Sequence, residues 1–75
     1  MKPLIEYIAK SLVDDPTEVV VTEHRRGRSV RLELSVADED MGRVIGRNGR
    51  VANAMRSLLR VTASGEDARV TLDIV

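Results

Sequence analysis

Apolar positions change period along the chain, and each change predicts an element. Leu4, Ile5, Ile8, Ala9, Leu12 and Val13 recur at the spacing of one helical face. Pro3 suits the first helical position, where its missing N–H forfeits no bond. This helix is predicted over residues 3–13 and stops at "DDP", because Pro16 disfavours helical geometry in the residue before it. The β-branched run "EVVVTEH", residues 18–24, reads as a strand. "RRGR", residues 25–28, reads as a turn in which Gly27 is free to take positive φ. In "SVRLELSV", residues 29–36, Val30, Leu32, Leu34 and Val36 alternate with Arg31, Glu33 and Ser35. That alternation is a strand with one buried and one wet face. A turn this short makes the two strands an antiparallel hairpin.

Asp38 is expected to cap a short helix beginning at Glu39, with the acids at 38–40 favoured at the positive end of its dipole. Gly46 ends that helix. A second opens near Gly49 and runs to about Val61, followed by a loop, "TASGED", at 62–67. "RVTLDIV", residues 69–75, closes the chain as a strand with Val70, Leu72 and Ile74 alternating. At about 100° per residue from Val51, Ala52, Met55 and Leu59 fall near 100°, 40° and 80°, and Ala54, Leu58 and Val61 near 300°, 340° and 280°. The apolar arc is thus about 180° wide, against the roughly 100° stripe that a one-sided surface helix requires. Arg50, Asn53, Arg56, Ser57 and Arg60 fill the other half. The surplus edge, Val51, Ala54 and Leu58, either packs on the N-terminal helix or meets another chain.

The order helix, strand, strand, helix, helix, strand predicts one α+β domain over residues 1–75, with no repeat, linker or low-complexity segment. A domain of this size buries only about 60% of the surface its unfolded chain exposes, so burial against a second chain would matter.

Charge changes this picture by its distribution. The formal net charge is zero, yet residues 43–60 hold Arg43, Arg47, Arg50, Arg56 and Arg60 and no acid, a local charge of +5. The rest of the chain carries 7 basic and 12 acidic residues. Arginine presents a planar fork of donors suited to phosphate. Charge alone does not separate a phosphate site from a solvated helix face. The chain has no cysteine, which excludes disulfides and thiolate metal sites. Its N-terminus lacks the continuous apolar run of a signal peptide or membrane span, so a soluble, cytoplasmic protein is expected.

The residues with most chemistry are Gly46-Arg47-Asn48-Gly49. Glycine lets a backbone approach a ligand closely. The helix that follows offers unpaired N–H groups and a positive dipole end. Arg47 and Arg50 add full charges, so together these residues form a cradle for phosphate oxygens. A tight helix–turn–helix junction that uses glycine only for steric reasons fits the motif equally well.

"GRVIGRNGRVANAMR", residues 42–56, resembles the G-x-x-G core of a KH RNA-binding domain. The whole chain resembles the type II KH fold, and within it the small stand-alone bacterial proteins of the KhpA type. The resemblance implies a three-stranded sheet with helices packed on one face. It implies a clamp on the backbone of about four nucleotides of single-stranded RNA, formed by Gly46, Arg47, Asn48 and Gly49. Ile45 would sit at the base of an apolar groove and Arg50 at its rim. It also implies a homodimer, or a heterodimer with a larger KH-containing protein of the Jag type, and a role as RNA chaperone or post-transcriptional regulator. Ala52 stands where that family usually has a larger aliphatic residue and Val51 where it often has threonine, a swap of bulk between neighbours. The lone aromatic, Tyr7, argues against a stacked-base platform.

An enzyme is disfavoured. His24 lacks the partners of a catalytic triad, no nucleotide-binding fingerprint is present, and no cofactor or metal is expected. The rival that remains is a KH fold kept for dimerisation, with little RNA binding of its own. The absence of an acid between the two glycines favours RNA. A basic turn, "HRRGR" at 24–28, either extends the RNA path or is a solvated hairpin tip.

Overall fold

The computed structural model describes residues 1–63 and 69–75. Helix α1 spans Lys2–Leu12, strands β1 and β2 span Val20–Arg26 and Ser29–Ser35, helices α2 and α3 span Met41–Ile45 and Arg50–Ala63, and β3 spans Arg69–Ile74. Short 3₁₀ turns at Pro16–Glu18, Asp38–Asp40 and Arg47–Gly49 link them. The α+β order is the expected one. Thr62 and Ala63, expected in a loop, form the end of α3. The remainder of that expected loop, residues 64–67, lies outside the described residues.

β1 begins and ends later than residues 18–24. At its start, the Asp15 carboxylate accepts the N–H of Thr17 at 3.2 Å and holds Pro16–Glu18 in a 3₁₀ turn. At its end, Arg25 pairs with Val30 and Arg26 with Ser29, leaving only Gly27 and Arg28 in the turn. Gly27 has φ 60°. Glycine with positive φ at the first of two loop residues matches a type II′ hairpin, whose twist suits the flanking strands.

The strands lie in the order β1-β2-β3, with β1 antiparallel and β3 parallel to β2. A parallel neighbour requires a crossover, and α2 and α3 supply it. Val21, Val30, Leu32, Leu34 and Leu72 form the inner face of the sheet and are buried with Ile5, Val44, Met55 and Leu59. The helices therefore cover one face, as the type II KH resemblance implies. On the other face Thr22, His24, Arg26, Arg31 and Thr71 are exposed. His24 pairs there with Glu33 across the strands.

The acids at 38–40 behave differently from expectation. Asp38 makes no side-chain cap; it opens a 3₁₀ turn whose preceding residue is Ala37. Asp40 turns inward instead and is 1% exposed. Its two carboxylate oxygens accept the N–H groups of Asp14 and Asp15, each at 3.1 Å. Arg43 Nε lies 3.5 Å from the same carboxylate. Bonds to backbone N–H groups satisfy a carboxylate that burial alone would destabilise. They tie the exit of α1 to the entry of α2, and so fix the position of the turn that follows α2.

Candidate nucleic-acid interface

α2 ends because Gly46 adopts φ 77° and ψ 169°, a region essentially restricted to glycine. Its N–H still donates to Gly42 O at 2.9 Å, closing the helix, and its own carbonyl accepts Gly49 N–H at 3.1 Å, closing the turn. A Cβ on Gly46 would stand 2.6 Å from Val51 Cγ2 and 2.8 Å from Val51 N. Asn48 is left-handed, at φ 59° and ψ 24°. Asparagine tolerates that region better than most side chains. Gly49 has φ 75°, but a Cβ there would meet only the Asn53 amide at 3.8 Å. The two glycines thus have different reasons: conformation and close approach at Gly46, conformation at Gly49.

The backbone N–H groups of Arg47 and Asn48 have no acceptor among the described residues. They stand beside the N-terminus of α3, a 14-residue helix, whose first N–H groups carry a partial positive charge. The side chains of Arg47 and Arg50 likewise make no hydrogen bond or ion pair with any described residue. Both residues are exposed. Ile45, 37% exposed, offers apolar surface at the foot of the turn. The structure therefore brings Ile45, Gly46, Arg47, Asn48, Gly49 and Arg50 into one short stretch of surface.

The other arginines of residues 43–60 divide differently. Arg43 is held by Asp14 at 3.0 Å and by Asp40. Arg56 donates from Nε and Nη2 to Leu72 O, at 3.2 and 3.1 Å, and from Nη1 to Asn53 Oδ1 at 3.1 Å. Arg60 bonds Ser57 Oγ at 3.0 Å. Arg43 and Arg56 are thus fastened to the fold, and the local +5 overstates the charge available to a ligand. Arg56, Arg60, Val70, Thr71, Leu72 and Asp73 line a shallow groove between α3 and β3. The β3 side of this groove lies outside the residues singled out in the sequence. The only signal for it is the i, i+3, i+4 spacing of Asn53, Arg56, Ser57 and Arg60.

On the surplus edge of α3, Ala54 and Leu58 are exposed, Leu58 by 47%. Val51 is not part of that free edge. It is half-buried, packs on the core and sits against Gly46. Ala52 beside it is buried. The swap of bulk at 51 and 52 therefore places the larger side chain under the turn.

A family model described as KhpA/KhpB, KH domain matches residues 2–74. The chain belongs to that family. Similar relatives include a protein named RNA-binding protein KhpA from Halalkalibacterium halodurans, 51% identical over 100% of this chain and 99% of the relative. Another of that name, from Clostridium acetobutylicum, is 52% identical over the full length of both. A third, from Treponema pallidum, is 47% identical over 96% of this chain and 90% of the relative. No solved structure gives a significant match. The KhpA/KhpB family is a family of KH domains and not a known enzyme family. Among the described residues no helix is long and apolar enough to cross a membrane, and no group of three or more acids and histidines is placed to hold a metal ion.

Proposed function

We propose that this chain is an RNA-binding protein that clamps the backbone of a short single strand in the Gly46–Gly49 turn. The observation that carries this is the set of donors around the turn that have no partner among the described residues: the N–H groups of Arg47 and Asn48 and the guanidinium groups of Arg47 and Arg50. A phosphodiester satisfies such donors, and its charge is favoured beside a helix N-terminus. Ile45 supplies the apolar surface on which a neighbouring base lies. The shared name of the relatives, RNA-binding protein KhpA, agrees with this chemistry. In the cell this makes the protein a cytoplasmic RNA chaperone or post-transcriptional regulator. Titrating a labelled oligouridine at several salt concentrations tests the reading. About three or four phosphate contacts predict a slope near −2 to −3 in log K against log salt. With no aromatic side chain at the turn to stack a base, affinity is micromolar in order of magnitude and sequence selectivity slight. A nanomolar monomer with sharp base preference contradicts the reading. Absence of RNA binding selects the dimerisation module instead.

The working form is a dimer built on the exposed edge of α3, either with a second copy or with a larger KH-containing partner of the Jag type. Leu58, 47% exposed on that edge, is the central contact, joined by Ala54. Two clamps in one particle would raise avidity on a shared RNA by about 10²-fold or more where both engage. Leu58→Asp places a charge in this contact without touching the core. Sedimentation is expected to show a folded monomer. An unchanged dimer moves the contact to another surface.

A further inference from the structure

The face of the sheet turned away from the helices carries a feature that the clamp does not use. Side chains two apart on a strand share a face, about 7 Å from one another, and neighbouring strands lie about 5 Å apart. The register places Arg26, Ser29 and Arg69 in one row across the sheet and His24, Arg31 and Thr71 in the next row on the same face. These six residues line a shallow concavity. Arg26, Arg31 and Arg69 are all exposed, and their side chains make no hydrogen bond or ion pair with any described residue. The acids of this face lie at the other end: Glu33 pairs in register with Thr22 and Asp73, and Glu33 is already engaged by His24. Like charges placed together across strands oppose folding, whereas alternating signs support it. Here the charges are sorted rather than alternated, which folding does not require. Two hydroxyl groups, from Ser29 and Thr71, stand among the arginines.

The patch shares Thr71 with the groove between α3 and β3. Arg56 bonds the Leu72 carbonyl, and one turn further along α3 Arg60 lines the same groove with Val70 and Thr71. Thr71 lines both the groove and the sheet concavity. A strand leaving the turn along α3 thus reaches edge strand β3 at Thr71, where Arg31 and Arg69 begin. We infer that Arg26, Arg31 and Arg69 form a second phosphate-binding surface that takes the continuation of a single-stranded RNA held at the Gly46–Gly49 turn. The inference deepens the reading of the chain as an RNA binder and rests on it. The occupant is a nucleic-acid backbone because the surface offers three forked cations and two hydroxyls, groups that bind phosphate oxygens.

The test compares a ~5-nucleotide with a ~15-nucleotide oligouridine, the first only slightly longer than a KH clamp spans. The parent protein is expected to bind the longer strand at least ~tenfold more tightly, with a salt slope steeper by about 2 for three added contacts. Arg26→Gln/Arg31→Gln/Arg69→Gln is expected to weaken long-strand binding at least ~fivefold and to lower its salt slope by about 2, while binding the short strand within about twofold of the parent. Replacing the same three positions with lysine keeps most of the gain. If the triple glutamine variant loses its circular dichroism, the single variants replace it, each lowering the slope by about 0.7. Lys2→Gln/Lys10→Gln on α1 removes two charges elsewhere and leaves the long-strand affinity within about twofold. The inference is overturned if the parent gains nothing from length, if the triple variant keeps the gain, or if the α1 variant loses as much. A parent that fails to bind the short strand sinks the clamp reading instead. The long-strand comparison still decides the sheet surface in that case.

Discussion

Arg47→Asp/Asn48→Asp is expected to lower affinity for short single-stranded RNA at least ~tenfold, about 1.4 kcal/mol, while the chain stays folded. The fold survives because neither side chain makes a contact that the substitution removes. Both are exposed and without a partner among the described residues. Asn48 is left-handed at φ 59°, and aspartate, like asparagine, visits that region. The loss arises at the ligand. One guanidinium disappears and two carboxylates arrive beside the N–H groups that would hold a phosphate. A single like-charge contact at about 4 Å costs about 1 kcal/mol even in water. Two such contacts plus the lost arginine exceed the tenfold threshold. Anisotropy titration with circular dichroism on the same samples decides the matter. A folded double variant that binds like the parent would move the clamp away from this turn.

Gly46→Ala is expected to be the most damaging single-atom-scale change in the turn. The backbone there, at φ 77° and ψ 169°, costs an L-residue about 1–3 kcal/mol. The new Cβ would also lie 2.8 Å from Val51 N, an atom fixed in the first turn of α3. Val51 Cγ2, at 2.6 Å, can rotate away, but the nitrogen cannot. Overpacking adds about 1–3 kcal/mol. Domains of this size hold only about 4–11 kcal/mol in total. Each kcal/mol moves the melting temperature of such a domain by about 4–8 °C, so a fall of at least about 10 °C is expected. Gly42→Ala is the control: nothing lies within 4 Å of its Cβ position and it sits in α2. It is expected to be neutral or stabilising by up to about 1 kcal/mol. Gly49→Ala falls between, because its φ of 75° opposes alanine while its nearest neighbour is 3.8 Å away. Thermal melts in which Gly46→Ala and Gly42→Ala coincide would remove the steric account of the turn.

The linear sequence determined the features that depend on chain neighbours. Val30, Leu32 and Leu34 alternate and are buried on one side of β2. Ala52, Met55 and Leu59 follow helical spacing and are buried on one side of α3. Gly46 breaks the helix because of a backbone conformation that belongs to one residue type. Each follows from a period or a φ preference, and neither needs a distant partner. Boundaries shifted where a side chain bonded locally in a way the pattern does not encode. The Asp15 bond to Thr17 N–H delayed β1, and the inward turn of Asp40 replaced the cap expected of Asp38.

Tertiary structure decided which charges are available. Arg43, Arg47, Arg50, Arg56 and Arg60 look alike in sequence. Only packing brought Asp14 to Arg43 and the Leu72 carbonyl to Arg56, leaving Arg47 and Arg50 without partners among the described residues. Val51 went under the turn while Leu58 stayed outside, although one apolar arc contains both. The parallel placement of β3 beside β2 brought Arg69 into a row with Ser29 and Arg26, which lie 40 and 43 positions earlier in the chain. The physical reason is range. Periodicity is a property of residues a few bonds apart, whereas hydrogen bonds and ion pairs form within about 3–4 Å. Which groups come that close depends on how the elements pack.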